Sequence, residues 1–207
     1  MASNQYKKPD FWSKKAFAKG YPARSVWKLE EMDRKFGLFR GRDRVLDLGA
    51  APGSWTMYAL EHCGEDGCVV SVDLSPLSGA VPSARLFFLQ GDLQENGIRR
   101  TVQEHGPYSL VLCDAAPATT GNRTVDGARS EALAEMALFY AENMLGAGGS
   151  FAVKIFQGGA ERGLLQRMRG LFSSARAFKP EACRRESFET YLVGLGRLGG
   201  GQEGQNP

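Results

Sequence analysis

Residues 44–55 read Arg44-Val45-Leu46-Asp47-Leu48-Gly49-Ala50-Ala51-Pro52-Gly53-Ser54-Trp55. A short apolar run that breaks into small residues and proline reads as a buried strand turning straight into a helix. Small residues at such a turn let the main chain approach a ligand closely, and the free N–H groups of the following helix start point the same way. A dinucleotide turn requires the GxGxxG spacing. Here Ala51 and Pro52 break it, so the turn by itself points only to a nucleotide-like ligand.

Outward from this turn the pattern repeats. CVVSVDL (68–74) reads as a second strand, RLFFLQGD (85–92) as a third and YSLVLCDA (108–115) as a fourth. SFAVKIF (150–156), ARAFKP (175–180) and ETYLVGLGR (189–197) read as the fifth to the last. Helical spacing fills the gaps at 54–62, 94–105 and 160–173, and at 126–146, where Leu133, Met136, Ala137, Tyr140 and Met144 share a face. Near-continuous apolar strands alternating with helices predict an α/β fold, a largely parallel sheet covered on both faces. In such a sheet ligands bind beyond the carboxyl ends of the strands. Gly49–Gly53, Asp73, Asp92 and Asp114 all fall there, with Lys154 late in the fifth strand. A carboxylate at Asp73 can accept both hydroxyls of a nucleoside ribose, and Asp92 can accept from an adenine amino group. Taken singly, each aspartate reads equally well as a helix cap. Lys154 stands out, because lysines are almost never buried unpaired in an apolar strand.

The N-terminal part differs in character. Residues 1–44 hold 12 Lys/Arg and 5 Asp/Glu, against 14 and 18 in the remainder, within a net charge of +3. Such asymmetry fits a polyanionic partner met by one end of the molecule, or simply a solvated basic face. Residues 23–36 predict an amphipathic helix carrying Val26, Leu29, Met32, Asp33 and Phe36, closed by Gly37 and Gly41. Residues 1–20 read as a basic arm, 21–197 as one domain and 198–207 as a disordered tail. Lys14, Lys15, Lys19 and Arg24 are the candidate contacts to such a polyanion, and the interleaved Tyr6, Phe11, Trp12 and Phe17 can stack on flat ligands or pack on the domain.

A chain of 207 residues, 43% hydrophobic and 24% charged, buries one full core and is not an unfolded polyelectrolyte. No run of about 18 apolar residues crosses a membrane, and the N-terminus has no secretory h-region. Cys63, Cys68, Cys113 and Cys183 form no CxxC and read as reduced thiols of a cytoplasmic protein. With His62 they match no zinc spacing, so no metal is expected. No apolar element is left over for an interface, and a monomer is expected.

Four segments together resemble one family. DLGAAPGSW (47–55), CDAAP (113–117), VKIFQGG (153–159) and SFETYLVG (187–194) are similar to the FtsJ/RrmJ ribosomal RNA 2′-O-ribose methyltransferases, as is KKAFAKGYPARSVWKLEEMDRKFGLF (14–39). The resemblance runs in order from about residue 8 to 197. It implies a Rossmann-like fold with a seven-stranded mixed sheet, order 3-2-1-4-5-7-6, the last strand antiparallel. It implies S-adenosyl-L-methionine (SAM) as cofactor, at the Gly49 turn and at Gly53, Trp55, Asp73, Asp92 and Asp114. It implies a catalytic tetrad on Lys28, Asp114, Lys154 and Glu189. The implied substrate is a uridine ribose in the A-loop of 23S rRNA within the 50S subunit. The chain departs from the family at Ala118, where an asparagine is usual, at Ser54, where a glycine is usual, and at Pro22-Ala23-Arg24-Ser25, which carries one arginine fewer. A tRNA ribose methyltransferase and a non-catalytic RNA-binding ribosome-assembly factor on the same scaffold are the alternatives.

The chemistry is consistent with these residue types. A ribose hydroxyl is a weak nucleophile that must lose its proton as it attacks a sulfonium methyl. A lysine takes that proton only when neutral. Bringing a lysine from about 10.4 to roughly 7–8 costs on the order of 3–4 kcal/mol, which burial and a second cation can supply. Lys154 can act in this way with Lys28 as the second cation, or can stay charged and position the hydroxyl.

Overall fold

The computed structural model describes residues 9–41, 43–78, 83–184 and 186–199. In chain order the elements are α1 (Phe11–Ala18), α2 (Val26–Phe36), β1 (Arg44–Leu48), α3 (Ser54–His62), β2 (Cys68–Asp73) and β3 (Leu86–Gln90). They continue with α4 (Asn96–Glu104), β4 (Tyr108–Cys113), α5 (Arg123–Met144), β5 (Leu145–Phe156), α6 (Ala160–Leu171), β6 (Phe172–Phe178) and β7 (Glu189–Arg197). The strands form one sheet in the order β3-β2-β1-β4-β5-β7-β6, as expected. β1, β2, β3, β4 and β5 pair in parallel, and β7 runs antiparallel to both its neighbours.

Side chains alternate across this sheet, and the two faces are buried differently. Leu46, Leu48, Val111, Cys113, Phe151, Val153 and Leu192 pack with α4, α5 and α6. Val45, Leu110, Leu112, Ala152, Tyr191 and Val193 pack with α1, α2 and α3. The period of two therefore assigns every other strand residue to the α1–α3 face. Asp47, Asp114, Lys154 and Glu189 are all in that phase.

Several boundaries differ from the sequence reading, among them β6, which starts at Phe172 rather than residue 175, and α5, which starts at Arg123 rather than residue 126. β5 starts at Leu145 rather than residue 150, because α5 runs directly into it and a register shift opposite Tyr108–Leu110 absorbs the intervening glycines. The segment expected as an arm is helical over Phe11–Ala18 and packs on the body. Asp10 caps it by accepting from Ser13 N, Ala16 enters the core, and Trp27 Nε1 donates to the Trp12 carbonyl at 2.9 Å. Tyr6 and the tail beyond residue 199 lie outside the described residues. α2 ends as expected at Gly37, which adopts φ +65°. Asp33 is not a core residue of α2. Its carboxylate accepts from Phe39 N at 3.1 Å and from Tyr58 OH at 3.0 Å, which ties the helix end to α3.

The turn after β1 is shaped by contact with the segment after β4. Gly49 has φ +73°, and a Cβ there would lie 2.6 Å from Ala115 Cβ and 2.7 Å from its Cα. Gly49→Ala is thus expected to lower stability by at least about 1–2 kcal/mol from the left-handed backbone alone, plus the clash. Denaturant unfolding checks this, and a variant as stable as the wild type would refute the close approach.

Asp47 sits fully buried in the middle of the sheet. Its Oδ2 accepts from Thr56 Oγ1 at 2.7 Å, and Thr56 Oγ1 lies 2.9 Å from Ser71 Oγ, while Oδ1 has no hydrogen-bond partner among the described residues. Burial pushes its pKa up to about 7, with the Asp114 and Asp73 carboxylates adding to it and the Thr56 bond opposing. The folded protein thus keeps a proton that the unfolded chain releases above about pH 4. This contribution to stability is complete below that pH and is lost as pH rises toward 7, by up to about 4 kcal/mol. Asp47→Asn cannot ionise and should flatten this decline in melts between about pH 5 and pH 8. An unchanged decline would show that Asp47 does not cause it.

Candidate active site

A cleft of about 440 Å³ opens at the carboxyl ends of β1, β2, β3 and β4. Gly49, Asp73, Asp92 and Asp114 line it, together with the apolar Leu74 and Leu93. The main chain orients the two distal carboxylates. Asp73 Oδ2 accepts from Ala51 N at 2.9 Å and Oδ1 from Ser75 N at 2.8 Å, and Asp92 Oδ1 accepts from Gln94 N at 2.8 Å. Each aspartate therefore does local turn work, and a carboxylate has about four acceptor positions, so capacity remains toward the cleft. Two carboxylates flanked by leucines match a nucleoside, with its ribose hydroxyls and amino group as donors and its flat base between aliphatic walls.

Gly53 and Trp55 stand elsewhere. Gly53 caps α3 with φ +113° and is not part of the cleft wall. Trp55 is buried on the α1–α3 face, where Nε1 donates to the Ser25 carbonyl at 2.9 Å and the ring lies 5.9 Å from that of Tyr191. It braces α2 against β7.

Lys28, Lys154 and Glu189 come together with Asp114, which itself lines this cleft. Lys28 Nζ lies 2.8 Å from Glu189 Oε1, and Lys154 Nζ lies 3.0 Å from Asp114 Oδ1. Lys154 also donates to the Asp114 carbonyl at 2.6 Å. Lys28 is 8% exposed and Lys154 7%. Pairing decides the ionisation here. Burial works against charge on Lys28, but the Asp114 and Glu189 carboxylates outweigh it and hold its pKa above the ordinary value. Burial likewise opposes charge on Asp114. The two ammonium groups and the Tyr191 hydroxyl outweigh it, and its pKa falls below the ordinary carboxylate value.

Tyr191 was not among the residues singled out from sequence. Its hydroxyl donates to Asp114 Oδ1 at 2.7 Å and its ring faces Lys28 Nζ at 5.9 Å, so it joins the two ion pairs. Burial raises its pKa well above the usual phenol value, with the Asp114 carboxylate adding to it. Strand parity could have found it, since it stands two residues after Glu189 on the same face. Cys113 is the inert core thiol expected from its apolar run, with a pKa pushed up to about 12 by burial.

A second cavity of about 370 Å³ opens beside the tetrad and is lined by Arg24, Lys28, Arg184, Glu186, Ser187 and Glu189. Its outer wall is clamped. Glu31 accepts from Glu181 N at 2.7 Å and from Ala182 N at 2.9 Å, and Arg24 donates to the Ala182 carbonyl. Arg24 also pairs with Asp10. Burial and the neighbouring Arg184 lower its pKa. Lys15 and Lys19 lie over the Trp27 ring at 4.0 and 5.1 Å, and Lys14 is exposed. No local sequence pattern marked Arg184, because only the clamp on α2 brings its loop to the site.

Comparison with known proteins agrees with this architecture. A model of the FtsJ-like methyltransferases matches residues 21–197. The ribosomal RNA large subunit methyltransferase E of Treponema denticola is 62% identical over 195 residues, covering 94% of this chain and 98% of the relative. Its counterpart from Treponema pallidum (strain Nichols) is 46% identical over 190 residues, 92% and 94% of the two chains. A crystal structure from Plasmodium falciparum, named as a ribosomal RNA methyltransferase, superposes with a TM-score of 0.74 at 25% identity, covering 87% of this chain and all of that one. The O-methyltransferase TomG of Streptomyces achromogenes, solved with SAM, shares the fold at a TM-score of 0.58 and 14% identity, over 94% and 93% of the two chains. The sheet is the Rossmann-like sheet of methyltransferases. By the match over residues 21–197 and by identity to near-full-length relatives, the chain belongs to the FtsJ-like methyltransferase family.

Proposed function

We propose that this protein methylates a ribose 2′-hydroxyl in RNA with SAM as methyl donor, at a uridine of the A-loop of 23S rRNA in the 50S subunit. The observation that carries the reading is the pair of nearly buried ion pairs, Lys28–Glu189 and Lys154–Asp114, between the cleft lined by Asp73 and Asp92 and the cavity lined by Arg24 and Arg184. The names of the relatives support ribosomal RNA as substrate, and the family resemblance supports the A-loop uridine. The same reading makes residues 21–197 the catalytic domain of a cytoplasmic, monomeric enzyme.

The donor set fits SAM. Asp73 and Asp92 would hold its ribose and adenine ends, and the Gly49 turn would lie against its tail. When bound it would supply the methyl of a sulfonium, whose C–S bond is the one broken, and would leave as S-adenosylhomocysteine. The chain's own residues do the rest. Lys28, held charged by Glu189, donates to the ribose and fixes its hydroxyl in line. Lys154, ion-paired with Asp114 at rest, takes the hydroxyl proton in the fraction that has first lost its own, as the new O–C bond forms. Asp114, 3.0 Å away and ionised, stabilises the ammonium that results. Tyr191 keeps Asp114 in position. Lys14, Lys15, Lys19 and Arg24 contact RNA phosphates, which position a substrate without specifying its sequence.

The test is transfer of labelled methyl from SAM to 50S subunits isolated from cells lacking the modification. The product is mapped by the resistance to alkaline cleavage that a 2′-O-methyl group confers. The wild type should label the 23S A-loop. Lys154→Ala should lose about 10²-fold or more in kcat while still binding SAM. Transfer that survives in the variant removes Lys154 from the chemistry. Label on tRNA instead moves the substrate, and SAM binding without transfer to any RNA leaves a binding factor.

A further inference from the structure

A third cavity, about 320 Å³, is walled in part by Ser187 and Phe188, next to Glu189 in the chain, and has been given no role above. Thr119, Arg123, Asp126, Gln157, Ser187 and Phe188 contribute to its walls. Phe188 precedes Glu189 directly and is 42% exposed, a large aromatic ring left open beside a reactive site. The Arg123 guanidinium lies over it, 3.8 Å from the ring centroid, and forms no ion pair among the described residues. A cation on an aromatic face is a planar platform, and both planes stack nucleobases.

The walls are built without any ligand. Asp126 accepts from Thr120 N at 2.7 Å, Thr120 Oγ1 at 2.9 Å and Gly121 N at 3.1 Å, which pins the loop before α5. These bonds, the Thr120 main chain first, hold its pKa below the ordinary value. Asn122 caps the helix through Thr124 N and Val125 N. Gln157 N donates to the Phe188 carbonyl at 2.8 Å and fixes the aromatic turn to the end of β5. Gln157 also brings an amide to the wall, with donors and an acceptor suited to a base edge.

The three cavities differ in chemistry. The nucleoside cleft includes Asp114 of the tetrad and the basic cavity includes Lys28 and Glu189, while the aromatic pocket adjoins the basic cavity at Ser187 and is walled by Phe188, the residue before Glu189. A nucleotide with its ribose at the tetrad has a phosphate and a base to place on the remaining two sides. Arg184 and Arg24, on a wall that also carries Glu186 and Glu189, are the groups for the phosphate, and the flat ring suits the base.

We propose that the Arg123–Phe188 pocket binds the unpaired nucleobase of the nucleotide whose ribose is methylated, stacking it on the Phe188–Arg123 platform. The proposal rests on the RNA methyltransferase reading, and its test separates the two. The intact protein is cross-linked to a short unpaired RNA carrying one 5-iodouridine, and the modified peptide is identified by mass spectrometry. In parallel, kcat and KM for RNA and KM for SAM are measured for Phe188→Ala, Arg123→Ala and Phe188→Trp. The cross-link should map to Phe188 and be lost when the same RNA carries an abasic site. Phe188→Ala should raise KM for RNA about tenfold or more, the scale of one stacked base, leave KM for SAM unchanged, and be rescued by Phe188→Trp. A cross-link elsewhere, together with an RNA KM within about twofold of wild type in both alanine variants, overturns the base site and leaves the methyltransferase reading intact. Cross-linking at Phe188 by a protein that methylates no RNA would overturn the methyltransferase reading and with it the assignment of the base to a methylated nucleotide.

Discussion

Four charged groups lie nearly out of water on one face of this sheet, and the rest of the site depends on their neutralising one another. Removing a carboxylate or an ammonium from water costs several kcal/mol, which only close partners offset. Lys154 has Asp114 as partner and Lys28 has Glu189, each within hydrogen-bonding distance, and the Tyr191 hydroxyl supplies one more bond to Asp114. Buried ion pairs are weak evidence for stability, since apolar side chains of similar size usually fold as well. Their presence is better explained by what they hold: two ammonium groups fixed where charge changes hands, in surroundings dry enough for that charge to matter.

Getting those groups together is a matter of sheet geometry. β4 and β5 are parallel neighbours, so their carboxyl ends coincide, and Asp114 and Lys154 leave them on the same face. β7 enters the sheet antiparallel beside β5, pairing Phe156 with Glu189 and Lys154 with Tyr191. A parallel β7 would have delivered its carboxyl end, not Glu189, to this edge. Lys28 comes from the opposite layer. α2 lies against the same face, held at its end by the Asp33–Tyr58 bond and along its length by Trp27 and Trp55. The aromatic packing of α1, α2 and α3 thus sets where one of the four charges can be.

The same packing explains why the basic N-terminal segment is not a free arm over its described part. Lys15 and Lys19 lay their ammonium groups on the Trp27 ring, and Arg24 bridges Asp10 and the loop after β6. These cations are arranged before any polyanion arrives, which lowers the entropy lost on binding. Arg24 and Arg184 line the same cavity beside the tetrad, together with Glu186 and Glu189, and Arg184 lowers the Arg24 pKa.

Much of this was legible in the amino-acid order. Alternation of apolar runs with helical spacing identified all seven strands, and the small residues after Leu48 marked the turn that shapes the cleft. Lys154 was conspicuous as a charge inside an apolar strand, and Asp73, Asp92 and Asp114 as carboxylates at strand ends. These are local signals, carried by periods of two and 3.6 residues and by the aversion of charge to burial. Other features depend on side chains distant in sequence, and only the tertiary structure decided them. Trp55 reads as a cofactor contact from its motif but is directed away from the cleft, because α3 turns its first residues toward α2. Tyr191 gains its role from a hydroxyl that reaches a carboxylate 77 positions earlier. Arg184 reaches the site through a clamp formed by Glu31, and Phe188 becomes a platform only because Arg123 arrives from another loop. The sequence alone determined which elements form and which charges require partners. Which partners they find was decided by strand register, the antiparallel entry of β7 and helix packing, since pairing across such separations depends on three-dimensional distance and not on local pattern.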